Sequence, residues 1–171
     1  MATFEDLEEA EAFVFSLRAM QIEQGTYPLH SFTLADFKQL HYHLFQDIYP
    51  FAGIFRDVQL MKGTTRFCQF QFIEQYAEQL FFELSHEPDW PTIEIAAKRL
   101  AHFKSELNML HPFREGNGRS IRIFLEKYAK TKRIRWHYGN MNREQYIEAM
   151  IRAQAHTDIL ERIFLDTIEF F

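Results

Sequence analysis

The sequence predicts an all-α protein that carries one β-hairpin. Apolar side chains recur at helical spacing through most of its 171 residues. Its six glycines and five prolines fall between the periodic segments rather than inside them. One stretch, 50–70, is instead rich in β-branched and aromatic residues, with Lys62-Gly63-Thr64-Thr65 at its centre. That is turn chemistry between two short strands.

The elements follow in order. Residues 4–24 place Phe4, Leu7, Ala10 and Val14 near helical spacing, and Gly25 stops the helix. Residues 31–49 repeat the pattern with Phe37, Leu40, Leu44 and Ile48; Ser31 or Thr33 caps this helix and Pro50 ends it. After the hairpin, 71–86 is helical until Pro88, Asp89 and Pro91 break it. Residues 92–110 form an amphipathic helix with Ile95, Leu100, Phe103 and Leu107 as the expected buried stripe. A further helix is expected at 119–131, and 142–155 and 157–170 complete a helical tail. Repeats, linkers and low-complexity segments are absent, so 1–171 reads as a single domain.

Composition bounds the function. Hydrophobic residues make up 47% of the chain and 19 are Phe, which is enough to build a core and excludes a disordered chain. A net charge of −5 argues against nucleic-acid binding by bulk electrostatics, but it is compatible with a local basic site for a small anion. The single cysteine, Cys68, rules out an intrachain disulfide and favours a reducing compartment. Beside Phe67 it reads as a small packed residue, not a nucleophile. The acidic start lacks a basic, apolar leader, and no apolar run approaches the roughly 18 residues of a membrane span. A cytoplasmic protein is expected, with no membrane partner; export by a route that needs no leader stays open.

The chemistry is concentrated in "HPFREGNGRSIR", residues 111–122. Gly116, Asn117 and Gly118 let the backbone turn sharply just before a helix, aiming its free N–H groups and positive end at one spot. Arg119 and Arg122 are three apart and share a face beside that spot, with guanidinium forks that match phosphate oxygens. Glu115 is misplaced among phosphates unless a cation lies between them, and Mg²⁺ held by one carboxylate plus phosphates solves that. His111 opens the loop as the general base and is expected to titrate near neutral pH. Phe113 is an apolar peg that anchors the loop. Taken singly, each has a plainer explanation: a turn, a solvated pair, a structural histidine. Together they read as a nucleotide-phosphate site. His41 and His43, two apart on a helix, face different ways and make poor joint metal ligands.

This stretch resembles, position by position, the Fic-domain signature H-x-F-x-[DE]-G-N-G-R-x-x-R, with His111, Phe113, Glu115, Gly116, Asn117, Gly118, Arg119 and Arg122 in place. Residues 44–67 resemble the family's approach to its hairpin flap, with Ala52, Gly53 and Arg56 as an Ala-Gly-x-x-Arg element. The resemblance covers roughly 30–155. It implies the Fic fold, a helical bundle around a helix–anion loop–helix motif with one β-hairpin flap. It also implies protein adenylylation: AMP passes from ATP to a Tyr, Thr or Ser hydroxyl of a target protein and pyrophosphate leaves. By the same resemblance His111 deprotonates the hydroxyl, Glu115 holds Mg²⁺, and the 116–118 backbone with Asn117 cradles the phosphates. Arg119 neutralises the leaving side and Arg122 grips the γ-phosphate, while Lys62 and Gly63 of the flap align the target by strand addition. Relatives that transfer UMP, phosphate or phosphocholine, and a silent partner-binding module, are the alternatives. The family's inhibitory motif, [ST]-x-x-x-E-[GN], is matched only loosely by Thr157 to Glu161, where Arg162 follows. Restraint by a separate small antitoxin protein is therefore expected.

Overall fold

The computed structural model describes residues 4–171, with Phe4 described in its backbone only. Among the described residues seven α-helices and two small two-stranded sheets follow one another. Helix α1 spans Phe4–Glu23 and α2 spans Leu34–Phe45. Thr33 caps α2 in a reciprocal capping box with Asp36, satisfying two N–H groups that the first turn would otherwise leave bare. Strands β1 (Met61–Lys62) and β2 (Thr65–Arg66) form the expected hairpin. Gly63 has φ 59° at the first turn position, which a type II′ turn requires. A 3₁₀ turn at Phe70–Phe72 leads into α3 (Ile73–Ser85). Helix α4 (Ile93–Leu110), capped by Thr92, packs against both α3 and α5 (Asn117–Thr131). Strand β3 (Ile134–Trp136), α6 (Arg143–Arg152), α7 (Asp158–Thr167) and β4 (Ile168–Phe170) complete the chain.

The core explains the phenylalanines. Phe37 of α2, Phe81 of α3, Phe113 of the motif loop and Phe124 of α5 form one aromatic cluster, with Phe37 lying 5.1 to 5.5 Å from the other three ring centroids. Offset and edge-on rings at such spacings add to the burial of their area. Three expectations are corrected. The buried stripe of α4 runs through Ala96, Leu100, Phe103 and Leu107, leaving Ile95 40% exposed on its flank. On α1 the docking face follows Val14, Phe15, Ala19 and Ile22, so Leu7 and Ala10 face outward; the Phe4 side chain of the expected stripe lies outside the described residues. The tail is not helical to 170: Ile168–Phe170 pairs antiparallel with Ile134–Trp136, a register set by residues over thirty positions away. Local periodicity carries no trace of such a partner. Among the described residues no helix is long and apolar enough to cross a membrane.

Candidate active site

The site is built where α4 ends and α5 begins. His111 closes α4 in the left-handed region, φ 42° and ψ 59°, a conformation few non-glycine residues adopt. Arg56, only 3% exposed, holds it there. Its Nε donates to the His111 carbonyl at 2.7 Å, and Nη2 donates to Cys68 at 2.6 Å and Leu110 at 3.3 Å. Nη1 donates to Val58 at 2.8 Å. One guanidinium thus ties the base of the hairpin to the bare carbonyls at the end of α4. The Arg56 N–H adds a bond to Pro112 at 2.8 Å, and the Cys68 N–H one to Met109 at 2.8 Å. Burial raises the Cys68 thiol pKa, in keeping with a structural cysteine.

The loop itself is pinned from three sides. Phe113 is fully buried as the expected peg. Asn117 is buried too, and its side chain spans the loop: Oδ1 accepts from the Phe113 N–H at 2.9 Å and Nδ2 donates to the Phe113 carbonyl at 2.8 Å. That corrects the sequence reading. Asn117 shapes the loop with its side chain, which leaves its backbone N–H at the start of α5. The third pin is His41, which stacks on Phe113 at 3.7 Å. Its Nδ1 accepts from the Gly53 N–H at 2.9 Å, so Nε2 carries the proton donated to the Glu115 carbonyl at 2.8 Å. Burial lowers its pKa to about 4 and keeps it neutral. His41 was set aside as a metal ligand, but its structural role had a signal: it interrupts the apolar stripe Phe37, Leu40, Leu44 at a buried position.

Helix α5 starts two residues earlier than expected, at Asn117, behind Gly116 with φ 76°. No side chain caps it. The N–H groups of its first turn therefore face the loop without an intrahelical acceptor, which is the arrangement that binds anions. A Cβ on Gly118 would point into open space there. Glu115 is exposed, and among the described residues its carboxylate accepts from the adjacent Gly116 N–H alone, at 3.2 Å. Among the described residues no group of three metal-ligating side chains exists. One free carboxylate beside an anion-binding turn fits Mg²⁺, which keeps most of its waters and shares phosphate oxygens.

His111 presents one free imidazole nitrogen. Its Nδ1 meets the Asn108 carbonyl at 3.2 Å, and a carbonyl can only accept, so the proton sits on Nδ1 and Nε2 keeps its lone pair. The ring stacks on Phe67 of the flap at 3.7 Å. Burial, then the charges of Arg56, Lys62 and Lys104, lowers its pKa to about 4. The expected titration near neutral pH is thereby corrected: the imidazole is already neutral there. Lys62, the last residue of β1, and Gly63 of the turn are both exposed at the tip of the flap, and Lys62 lies within electrostatic reach of His111.

The arginines differ. Arg119 pairs with Glu11 of α1, which also accepts from the Tyr49 hydroxyl. The Arg119 guanidinium lies 4.8 Å from the Phe45 ring. Among the described residues Arg122 forms an ion pair with its helix neighbour Glu126 at 3.6 Å, lies within electrostatic reach of Glu23, and stands 4.6 Å from the Tyr138 ring. Glu161 is elsewhere engaged, accepting from Thr157 Oγ1 at 2.8 Å. Glu11 and His41 are the contributors that sequence reasoning missed.

Fold and site together define a helical domain of the helix–loop–helix class, with a half-buried histidine at the loop entrance. The Fic/DOC family model matches residues 31–129, and the chain belongs to that family. It is 34% identical over 151 residues to the "Probable protein adenylyltransferase y4lH" of Sinorhizobium fredii, covering 86% of this chain and 77% of that relative. To the "Probable protein adenylyltransferase Fic" of Escherichia coli it is 41% identical over 125 residues, covering 72% of this chain and 61% of that relative. The chain thus spans about three fifths of the length of the Escherichia coli relative. The crystal structure of the Bartonella tribocorum BepC protein with bound AMPPNP superposes with a TM-score of 0.88 over all of this chain and 90% of that one, at 20% identity, which shows the fold.

Proposed function

We propose that this chain is a protein adenylyltransferase, moving AMP from ATP to a hydroxyl side chain of a target protein and releasing pyrophosphate. One observation carries the reading. A neutral His111 with Nε2 left open stands at the mouth of a helix N-terminus that no side chain caps. A base there serves an incoming hydroxyl, and open N–H groups there serve phosphates. The names of the two relatives support this, as does the AMPPNP in the Bartonella tribocorum structure.

His111 Nε2 takes the target hydroxyl proton as the oxygen attacks the α-phosphorus. The Asn117, Gly118 and Arg119 N–H groups bind the phosphate oxygens, and the guanidinium groups of Arg119 and Arg122 balance the charge that collects on the departing pyrophosphate. Glu115 would hold Mg²⁺, which supplies charge neutralisation across neighbouring phosphates. The flap around Lys62 and Gly63 presents its exposed edge to an extended target segment. We place the activity in a reducing cytoplasm, restrained by a small partner that occupies Arg122 rather than by Glu161.

Incubation of the protein in a lysate with ATP labelled on the α-phosphorus, and separately on the γ-phosphorus, tests the reading. Label on protein from the α position alone is expected. Label from the γ position alone makes it a phosphotransferase, and no label from either leaves transfer of UMP or phosphocholine, or a silent binding module.

A further inference from the structure

Lys104 lies on α4, seven residues before His111 and so on the same face, roughly 10 Å along the axis. It is 4% exposed. Its nearest aromatic is Tyr146 of α6, with Nζ 5.7 Å from the ring centroid. Tyr146 meets Tyr138 at 6.4 Å, and Tyr138 in turn lies 4.6 Å from the Arg122 guanidinium. Two cations from two helices therefore share one pair of tyrosines. No carboxylate pairs with Lys104 among the described residues, and the only charge acting on it is that of Arg122.

A buried ammonium beside a second cation is costly, and a methionine of similar length would fill the space without that cost. The arrangement makes physical sense if the counter-charge arrives with a ligand. His111 and Arg122 both lie within electrostatic reach of Lys104, and the two helical turns from Lys104 to the motif loop make a span suited to a polyphosphate and not to a lone phosphate. We infer that Lys104 is a cation of the nucleotide site, meeting with Arg122 the terminal phosphates that leave as pyrophosphate, and that it gives the site its preference for triphosphate over monophosphate. This rests on the adenylyltransferase reading of the same site.

Burial lowers the Lys104 pKa to about 7, so the free protein holds this proton only in part at neutrality. The groups facing it are Arg122 from α5, Tyr146 from α6, Tyr138 from the turn before α6 and His111 from its own helix. None supplies negative charge near neutral pH. Arrival of the phosphates draws the missing proton onto Lys104.

Calorimetry of ATP, ADP and AMP binding, in two buffers of different ionisation heat near pH 7.5, tests this on the wild type, Lys104→Met and Lys104→Arg. The wild type should take up a fraction of a proton with ATP. Lys104→Met should bind ATP about ten- to a hundredfold more weakly, the loss of a charged hydrogen bond, with AMP affected less than about threefold. It should show none of that proton uptake and should melt at a higher temperature. Lys104→Arg should keep ATP affinity without the uptake. Unchanged ATP affinity in Lys104→Met, or equal losses for all three nucleotides, overturns the inference. If Lys104→Met does not fold, wild-type heats that do not depend on buffer overturn it alone. A wild type that binds no ATP removes the adenylyltransferase reading and this inference together, whereas intact ATP binding with an indifferent Lys104 removes the inference only.

Discussion

Gly116 and Gly118 stand two residues apart and are glycine for opposite reasons. At Gly116 the backbone has φ 76°, and an added Cβ would lie 2.5 Å from the Phe45 ring. Gly118 is helical, and its missing Cβ leaves open space where a phosphate would sit. Gly116→Ala should therefore cost about 2 to 4 kcal/mol of stability, from left-handed strain plus a clash with a buried ring. Gly118→Ala should gain up to about 1 kcal/mol from helix propensity while losing most nucleotide affinity. Thermal melts paired with ATP titration check both; loss of stability at Gly118, or intact ATP binding there, contradicts the assignment. Much at this scale was legible. The motif drew attention to His111, Glu115, both glycines and both arginines, because their chemistry is local, and the structure gathers them about one loop. What the motif concealed was direction: the Asn117 side chain turns back to Phe113, and His41, 74 positions from Glu115, holds that residue's carbonyl. Contacts between residues that far apart leave no pattern in a sequence window.

The hairpin, at the scale of elements, shows how little regular structure an ordered loop needs. Its strands are two residues each, too short to be stable alone, and its rigidity comes from Arg56 beneath it. Arg56 serves four carbonyls from three segments. Lysine offers three donors on a flexible stem and cannot reproduce that planar fork. Arg56→Lys should lose roughly 3 kcal/mol, a fall in Tm of about 6 to 12 °C. Hydrogen exchange should show faster exchange at the Cys68 N–H, whose bond to Met109 ties the flap to α4. Unchanged protection at Cys68 would show that the flap is held by something else. Turn chemistry made this hairpin visible in the sequence. The sheet of β3 and β4 was not, since Ile168–Phe170 continues the α7 apolar pattern and only the distant strand Ile134–Trp136 draws it out of helix.

At the scale of the whole molecule, a buried histidine, His41, and a half-buried one, His111, couple the site to the fold. His41 and His111 both have pKa values lowered to about 4, chiefly by burial, against an ordinary value near 6.5. A lowered pKa means the unfolded chain binds protons that the folded chain refuses, so stability is full above about pH 6.5 and drains away as pH falls toward 4. Tm should be flat from pH 7 to 8 and drop steadily below 6.5, and replacing His41 by Gln should flatten that drop. A Tm insensitive to pH between 6.5 and 4.5 would mean that neither ring is sealed as described. The same burial keeps His111 neutral at working pH, and on this the functional account depends: loop and arginines hold the nucleotide, and the imidazole only moves a proton. The most direct measurement sets ATP affinity beside AMP transfer in His111→Ala. The account predicts affinity within about threefold of wild type and transfer reduced by about a hundredfold or more, the usual worth of a general base. Transfer near the wild-type rate in His111→Ala would contradict it.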